Sequence, residues 1–274
     1  MFTTIDTISY PEGLLNKIKF RIFPPKIKAE IISVPDGADF LKLKVPAKND
    51  EINWKKVRKI AEKNAMNLVL PDWISIPYSP QLEKFKSDVL PRIITVNSAK
   101  KLLETACSVG YIFDIGIIDY CGLCCDLLYD FPEYAANITI VTMKPEKFEA
   151  FKSEAMKNFG IAVRLTDDIT KAFDLPVIII PTPLSTATAF SRFSAIIAVD
   201  GKNIFSSRVL CANKINLPEK YKALLPKGVS PLYFASALYE ISGVSSLNSC
   251  YSPSFLCGGS QISYQDAIKY LDLK

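Results

Sequence analysis

Three short runs, Ile115-Gly116-Ile117-Ile118, Ile138-Thr139-Ile140-Val141 and Val177-Ile178-Ile179-Ile180, are almost continuously apolar. A strand with one wet face alternates polar and apolar residues. These runs do not, so they predict strands buried on both faces of a sheet. The segments between them have helical spacing and length. A strand, a helix and a further strand imply a crossover connection, and therefore a parallel sheet. The expected fold class is α/β: a doubly wound, mainly parallel sheet with a smaller N-terminal α/β domain.

Reading outward from those runs gives the element plan. Alternating residues predict strands at 18–23, 27–34 and 40–45. A helix follows over about 51–65, with Trp54, Val57, Ile60 and Ala61 on one stripe, and then a strand at 67–71. The stretch 71–91 carries four prolines and reads as a link. Beyond it, Arg92–Val96 reads as a short strand. Residues 98–110 read as a helix, with Ser98 as N-cap and Gly110 as stop. Residues 113–120 read as a strand, 122–136 as a helix broken near Pro132, and 137–142 as a strand. A helix over 144–160 stops at Gly160; the strand 161–165, a short helix at 167–174 and strands at 176–181 and 194–199 complete the plan. The expected division is 1–90, 91–210, and a mainly helical segment 211–274 packing where the two domains meet.

Composition narrows the chemistry. With 49% hydrophobic and 22% charged residues in 274, the chain is globular in type. It has no histidine, which excludes Ser–His and Cys–His pairs and histidine metal sites; no metal is expected. Seven cysteines without an export signal read as reduced thiols in a cytoplasm. No apolar run reaches the ~18 residues of a membrane span. The net charge of +5 lies wholly in residues 1–66, which hold 13 Lys+Arg and 8 Asp+Glu. Lys17, Lys19, Lys26, Lys28, Lys42 and Lys44 alternate there with apolar residues, as on the wet face of strands. No nucleic-acid module accompanies them, so neither nucleic acid nor membrane is expected as a partner. A small-molecule ligand and self-association into a homo-oligomer stay open.

The turn after the strand 113–120 reads Asp119-Tyr120-Cys121-Gly122-Leu123-Cys124-Cys125. Cys121 and Cys124 have the spacing of a redox dithiol at a helix start. However, the proline that packs against such a dithiol is absent from the strand where it belongs, and helical spacing puts Cys124 on the buried stripe. Packing by small residues is the preferred account, with thiol redox chemistry as a remote alternative. Other features have plain structural readings. Gly258-Gly259 reads as a turn, Ser263-x-x-Asp266 as a capping box, and one of Asp167 and Asp168 as a cap.

Three places carry a resemblance. They are the strand and turn "DIGIIDYCG", the segment "ITIVTMKPEKFEAF", and "DDITKAFDLPVIIIPTPLST". Residues 97–200, well under half of the chain, resemble the NAD(P)-binding domain of the shikimate dehydrogenase and glutamyl-tRNA reductase type. The resemblance implies a Rossmann-like domain with NADP or NAD as cofactor and oxidoreductase-like activity. It places Asp119, Tyr120, Cys121 and Gly122 at the phosphate turn. Thr142 and Lys144 fall where a 2′-phosphate is met, and Thr182 at the strand end lining the cofactor. The chain also departs from the pattern. Of the three fingerprint glycines only Gly122 is present, and a carboxylate stands where backbone approaches phosphate. At 4–5 Å, such a charge costs about 4 kcal/mol at an effective dielectric of 20. The expected cofactor site is therefore altered or decayed. A non-enzymatic Rossmann-like protein binding a small ligand or a protein is the alternative, and no residue is assigned a catalytic role.

Overall fold

The computed structural model describes residues 1–9, 26–47 and 52–271. The strand expected at 18–23 lies outside them. The chain divides into two compact units, Met1–Ser87 with Leu217–Leu247 and Asp88–Asn216 with Asn248–Lys274.

The first unit holds a four-stranded sheet in the order β2-β3-β1-β4, from β1 (Thr3–Ser9), β2 (Lys28–Ile32), β3 (Phe40–Ala47) and β4 (Leu68–Val69). β1 runs parallel to β3 and β4, and β2 antiparallel to β3. β3 buries Leu41, Leu43, Val45 and Ala47 and turns Lys42 and Lys44 outward, as the alternation predicts. Lys42 pairs with Asp6 at 3.0 Å. β1 escaped the pattern reading; its Thr and Ile residues are β-formers, but Thr3 and Thr4 are buried with Ile5, so no alternation marks it. Helix α1 (Trp54–Ala61) is capped by Asn53, whose Oδ1 accepts the Lys56 N–H at 3.1 Å. Phe2 stacks on Phe40 with centroids 4.8 Å apart, and Phe234 meets both rings edge-on.

The second unit is built on an eight-stranded sheet. Its strands are β5 (Phe113–Ile118), β6 (Ala135–Val141), β7 (Val163–Thr166), β8 (Val177–Ile180), β10 (Ala195–Ala198), β12 (Val209–Cys211), β13 (Phe255–Cys257) and β14 (Ser260–Ile262); β9 (Thr188–Ala189) and β11 (Ile204–Phe205) pair separately. From one edge the order is β7-β6-β5-β8-β10-β12, all parallel. This is the 3-2-1-4-5-6 order of a dinucleotide-binding domain, and the fold is Rossmann-like. β13 and β14 extend it antiparallel through a two-residue turn, Gly258-Gly259, at φ 54° and 84°.

The apolar runs are buried on both faces. Ile115, Ile117, Ile138, Ile140, Val177 and Ile179 join a core with Val96, Leu102, Phe131 and Phe151. Ile118, Val141, Ile178 and Ile180 belong to a second cluster with Ala172, Leu184 and Phe190.

Two elements differ from the expectation. Arg92–Val96 is not a strand. It lies in the first turns of α2 (Val89–Ser108), a 20-residue helix with most of its positions buried. Burial on several sides overrides the strand preference of Ile93, Ile94, Thr95 and Val96. Pro91 is tolerated because first-turn N–H groups have no partner inside the helix. Ser98 is consequently no cap. It sits mid-helix, donating to the Ile94 carbonyl at 2.6 Å and accepting the Ser252 N–H at 2.8 Å. Gly110, at φ 90°, stands just past the helix end as expected.

The second difference is the helix expected over 122–136. In its place are two 3-10 turns, Cys125–Leu127 and Phe131–Tyr134. α3 (Glu149–Phe159), with Gly160 in the left-handed region, and the 3-10 turn Ile169–Ala172 follow the plan. The C-terminal quarter contains α4 (Glu219–Lys222), α5 (Pro231–Glu240) and α6 (Tyr264–Ile268), together with β12, β13 and β14.

Candidate functional site

In a Rossmann-like sheet, ligands bind beyond the carboxyl ends of the strands, beside the first βα turn. Here that turn follows β5. The Asp119 N–H continues the ladder to the Val141 carbonyl at 3.0 Å, so the backbone stays in register to that point. The chain then curls. Gly122 donates its N–H to the Asp119 carbonyl at 3.2 Å and adopts φ 61°, which a side chain would strain.

The Asp119 carboxylate folds inward and is fully buried. Its Oδ2 accepts the Cys124 N–H at 2.7 Å. Its Oδ1, also buried, has no hydrogen-bond partner among the described residues. The side chain thus takes up a backbone N–H of the kind that would cradle a phosphate, and it brings a negative charge to that place.

Three successive carbonyls, of Cys121, Gly122 and Leu123, are held by cations. Lys147 Nζ donates to the Cys121 and Gly122 oxygens at 3.1 and 3.2 Å. Arg92 Nη1 donates to the Leu123 oxygen at 3.3 Å, while its Nη2 donates to the Asp88 carbonyl. Arg92 is 8% exposed, and its Nε is unpartnered among the described residues. Because 3-10 turns replace the expected helix, the segment after the turn offers it no α-helix N-terminus.

The other residues implied by the resemblance divide. Thr142 and Lys144 stand next to the turn. Met143 donates its N–H to the Tyr120 carbonyl at 3.1 Å, joining the loop after β6 to the turn after β5. Thr142 is buried and its Oγ1 accepts the Lys144 N–H at 3.1 Å. Lys144 is exposed; its Cβ would lie 3.4 Å from a Cβ added to Gly122. Tyr120 is half-buried against the cluster of Ile118, Ile180, Leu184 and Phe190, and burial raises its hydroxyl pKa. Thr182 lies two residues past β8, the sheet neighbour of β5, with Leu184 packing into that same cluster.

The cysteines of the turn differ among themselves. Cys121 is exposed, Cys125 half-buried and Cys124 buried, and all are free thiols. Burial, then the Asp119 charge, pushes the Cys124 thiol far above its ordinary range, with Arg92 opposing. A thiol so shifted is protonated at neutral pH and is a poor nucleophile. No group of His, Cys, Asp and Glu among the described residues can hold a metal ion. No helix among them is long and apolar enough to cross a membrane.

Arg92 and Lys147 did not stand out in the sequence. Arg92 falls in the strand expected at 92–96 and Lys147 in the helix expected over 144–160. The lone cation in the apolar stretch "VLPRIITV" was the available signal.

No family model matches the chain, and neither does any curated protein. Among solved structures, it is similar to L-tryptophan dehydrogenase from Nostoc punctiforme, at 11% identity and a TM-score of 0.31. The match covers 84% of this chain and 66% of that one, so the chain spans under two thirds of that enzyme's length. The fold assignment rests on the strand order rather than on this likeness.

Proposed function

We propose that this is a Rossmann-like protein whose dinucleotide turn is closed by its own side chains, and that it acts as a non-enzymatic binding protein. One observation carries the reading. The Asp119 carboxylate bonds the Cys124 N–H at 2.7 Å from inside the fold, where a pyrophosphate oxygen would need that donor. Lys147 and Arg92 support it by holding the turn's carbonyls, so opening the turn would break several bonds at once.

A second reading, an NADP-linked oxidoreductase with the cofactor in an altered pose, draws on one feature. Lys144 is exposed beside the turn, where it could meet a 2′-phosphate. The test is turnover. The protein is incubated with NADP or NAD and a panel of hydroxy acids, amino acids and cyclic alcohols while nicotinamide absorbance is followed. No reduction is expected with any member. Steady reduction that requires the protein and disappears in Lys144→Glu would establish the second reading.

A further inference from the structure

We propose that the pocket formed by residues 249–253 and α6 against the flank of α2 is a binding site for a small planar aromatic anion. The pocket is an open cleft of about 710 Å³, within the range of roughly 300–1,000 Å³ typical of small-molecule sites. It stands on its own lining. Dinucleotide binding would overturn the function proposed above and leave this site untouched.

The walls are held in place without a ligand. Asn97 of α2 donates its amide to the carbonyls of Asn248 and Cys250, at 2.8 and 2.9 Å. Ser98 Oγ accepts the Ser252 N–H at 2.8 Å, and the Tyr264 hydroxyl donates to the Ser252 carbonyl at 2.8 Å. Two of these bonds are made by residues that are fully buried, Ser98 and Ser252. The Tyr264 ring is fixed edge-on between Phe255 and Tyr251, at centroid distances of 4.9 and 6.2 Å. A site ordered beforehand loses little conformational freedom when a ligand enters.

The lining specifies the ligand. Tyr251, a residue that stays 46% exposed, and Pro253 offer flat apolar surface to a planar body. Lys101 is the only charged residue among those described on the lining, and Asn216 and Gln265 add neutral amides. Lys101 is paired with Glu104 at 3.0 Å, but both side chains are more than 40% exposed. Such a pair contributes under about 1 kcal/mol, so a ligand carboxylate can draw the ammonium away at small cost. The anionic group therefore belongs at Lys101 and the ring against Tyr251.

Naphthalene-2-carboxylate and its neutral amide are the probes, titrated calorimetrically into the full chain and into Lys101→Gln. The acid should bind the wild type about tenfold more tightly than the variant, the worth of one charge-assisted hydrogen bond. The amide should bind both alike. The acid should also slow alkylation of the half-buried Cys250 while leaving the exposed Cys121 unaffected, as read by peptide mass. Three results would overturn the site: no heat of binding at about 1 mM acid, equal weakening of acid and amide by Lys101→Gln, or protection of Cys121 without Cys250. The Lys101 side chain is 41% exposed, so the variant keeps its fold, and its melting temperature verifies this.

Discussion

The carboxylate of Asp119 and the backbone N–H of Cys124 lie 2.7 Å apart, inside a turn that seals the carboxyl end of β5. The partners are five positions apart, so the bond closes the turn much as a capping side chain closes a helix start. Removing the acceptor leaves a buried N–H unsatisfied. Asp119→Ala is expected to destabilise the protein by about 1–3 kcal/mol, read as a lower urea midpoint at unchanged slope. A cost below ~0.5 kcal/mol, the range of ordinary surface substitutions, would mean the bond does not hold the turn.

Gly122 tests the backbone of the same turn. Its φ of 61° disfavours a side chain, and an added Cβ would come within 2.6 Å of Lys147 Cδ. The lysine stem is flexible, so the conformational strain dominates. Gly122→Ala should cost about 1–2 kcal/mol. Adding Lys147→Ala should not recover that loss, because the strain lies in the backbone. Full recovery in the double variant would show that the clash, and not φ, sets the requirement for glycine.

Arg92 links α2 to the turn through the Leu123 carbonyl and also donates to the Asp88 carbonyl at the helix's own start. Arg92→Met keeps most of the buried stem and deletes the donors. The expected loss is about 1–3 kcal/mol, since bonds from a charged donor are the stronger ones. Faster amide exchange over residues 119–125 should accompany it. Unchanged exchange there would remove Arg92 from the account of the turn.

The thiols give a pH dependence with a definite sign. Burial raises the Cys124 thiol well above its ordinary value and the Cys211 thiol to about 11. Tyr264 is raised to about 12, also chiefly by burial. A group with a raised folded pKa keeps its proton in the native state after the unfolded chain has lost it. The stability is therefore complete below the unfolded thiol pKa, near 8.5, and declines as pH rises beyond it. The slope approaches about 1.4 kcal/mol per pH unit for each such group. Cys124→Ala should flatten the first part of that decline. At neutral pH, iodoacetamide should label Cys121 readily and Cys124 only after unfolding. Rapid labelling of native Cys124 would revive the dithiol chemistry.

The sheet was legible because burial on two faces leaves an unbroken apolar run, and Ile115–Ile118, Ile138–Val141 and Val177–Ile180 carry that signal undiluted. Their parallel direction followed from the crossovers between them. Arg92–Val96 was not legible. A helix buried around most of its surface loses the 3.6-residue stripe, and four β-formers in a row then imitate a strand. β1 failed for a related reason, with buried threonines where alternation would have marked it. At the turn, the charge of Asp119 was visible as an obstacle to phosphate. Its bond to Cys124, five positions on, was not, and neither was the grip of Lys147 and Arg92 on three carbonyls, because residues 25 to 31 positions apart in sequence meet only once the sheet has formed.

The central claim is that the turn after β5 no longer receives a dinucleotide, and the melting temperature with NADP or NAD present tests it most directly. A cofactor at 100 times its Kd would add about 2.7 kcal/mol of stability, a rise of several degrees. The account predicts no shift with either cofactor at millimolar concentration. A saturable rise that corresponds to micromolar affinity for NADP or NAD would contradict it.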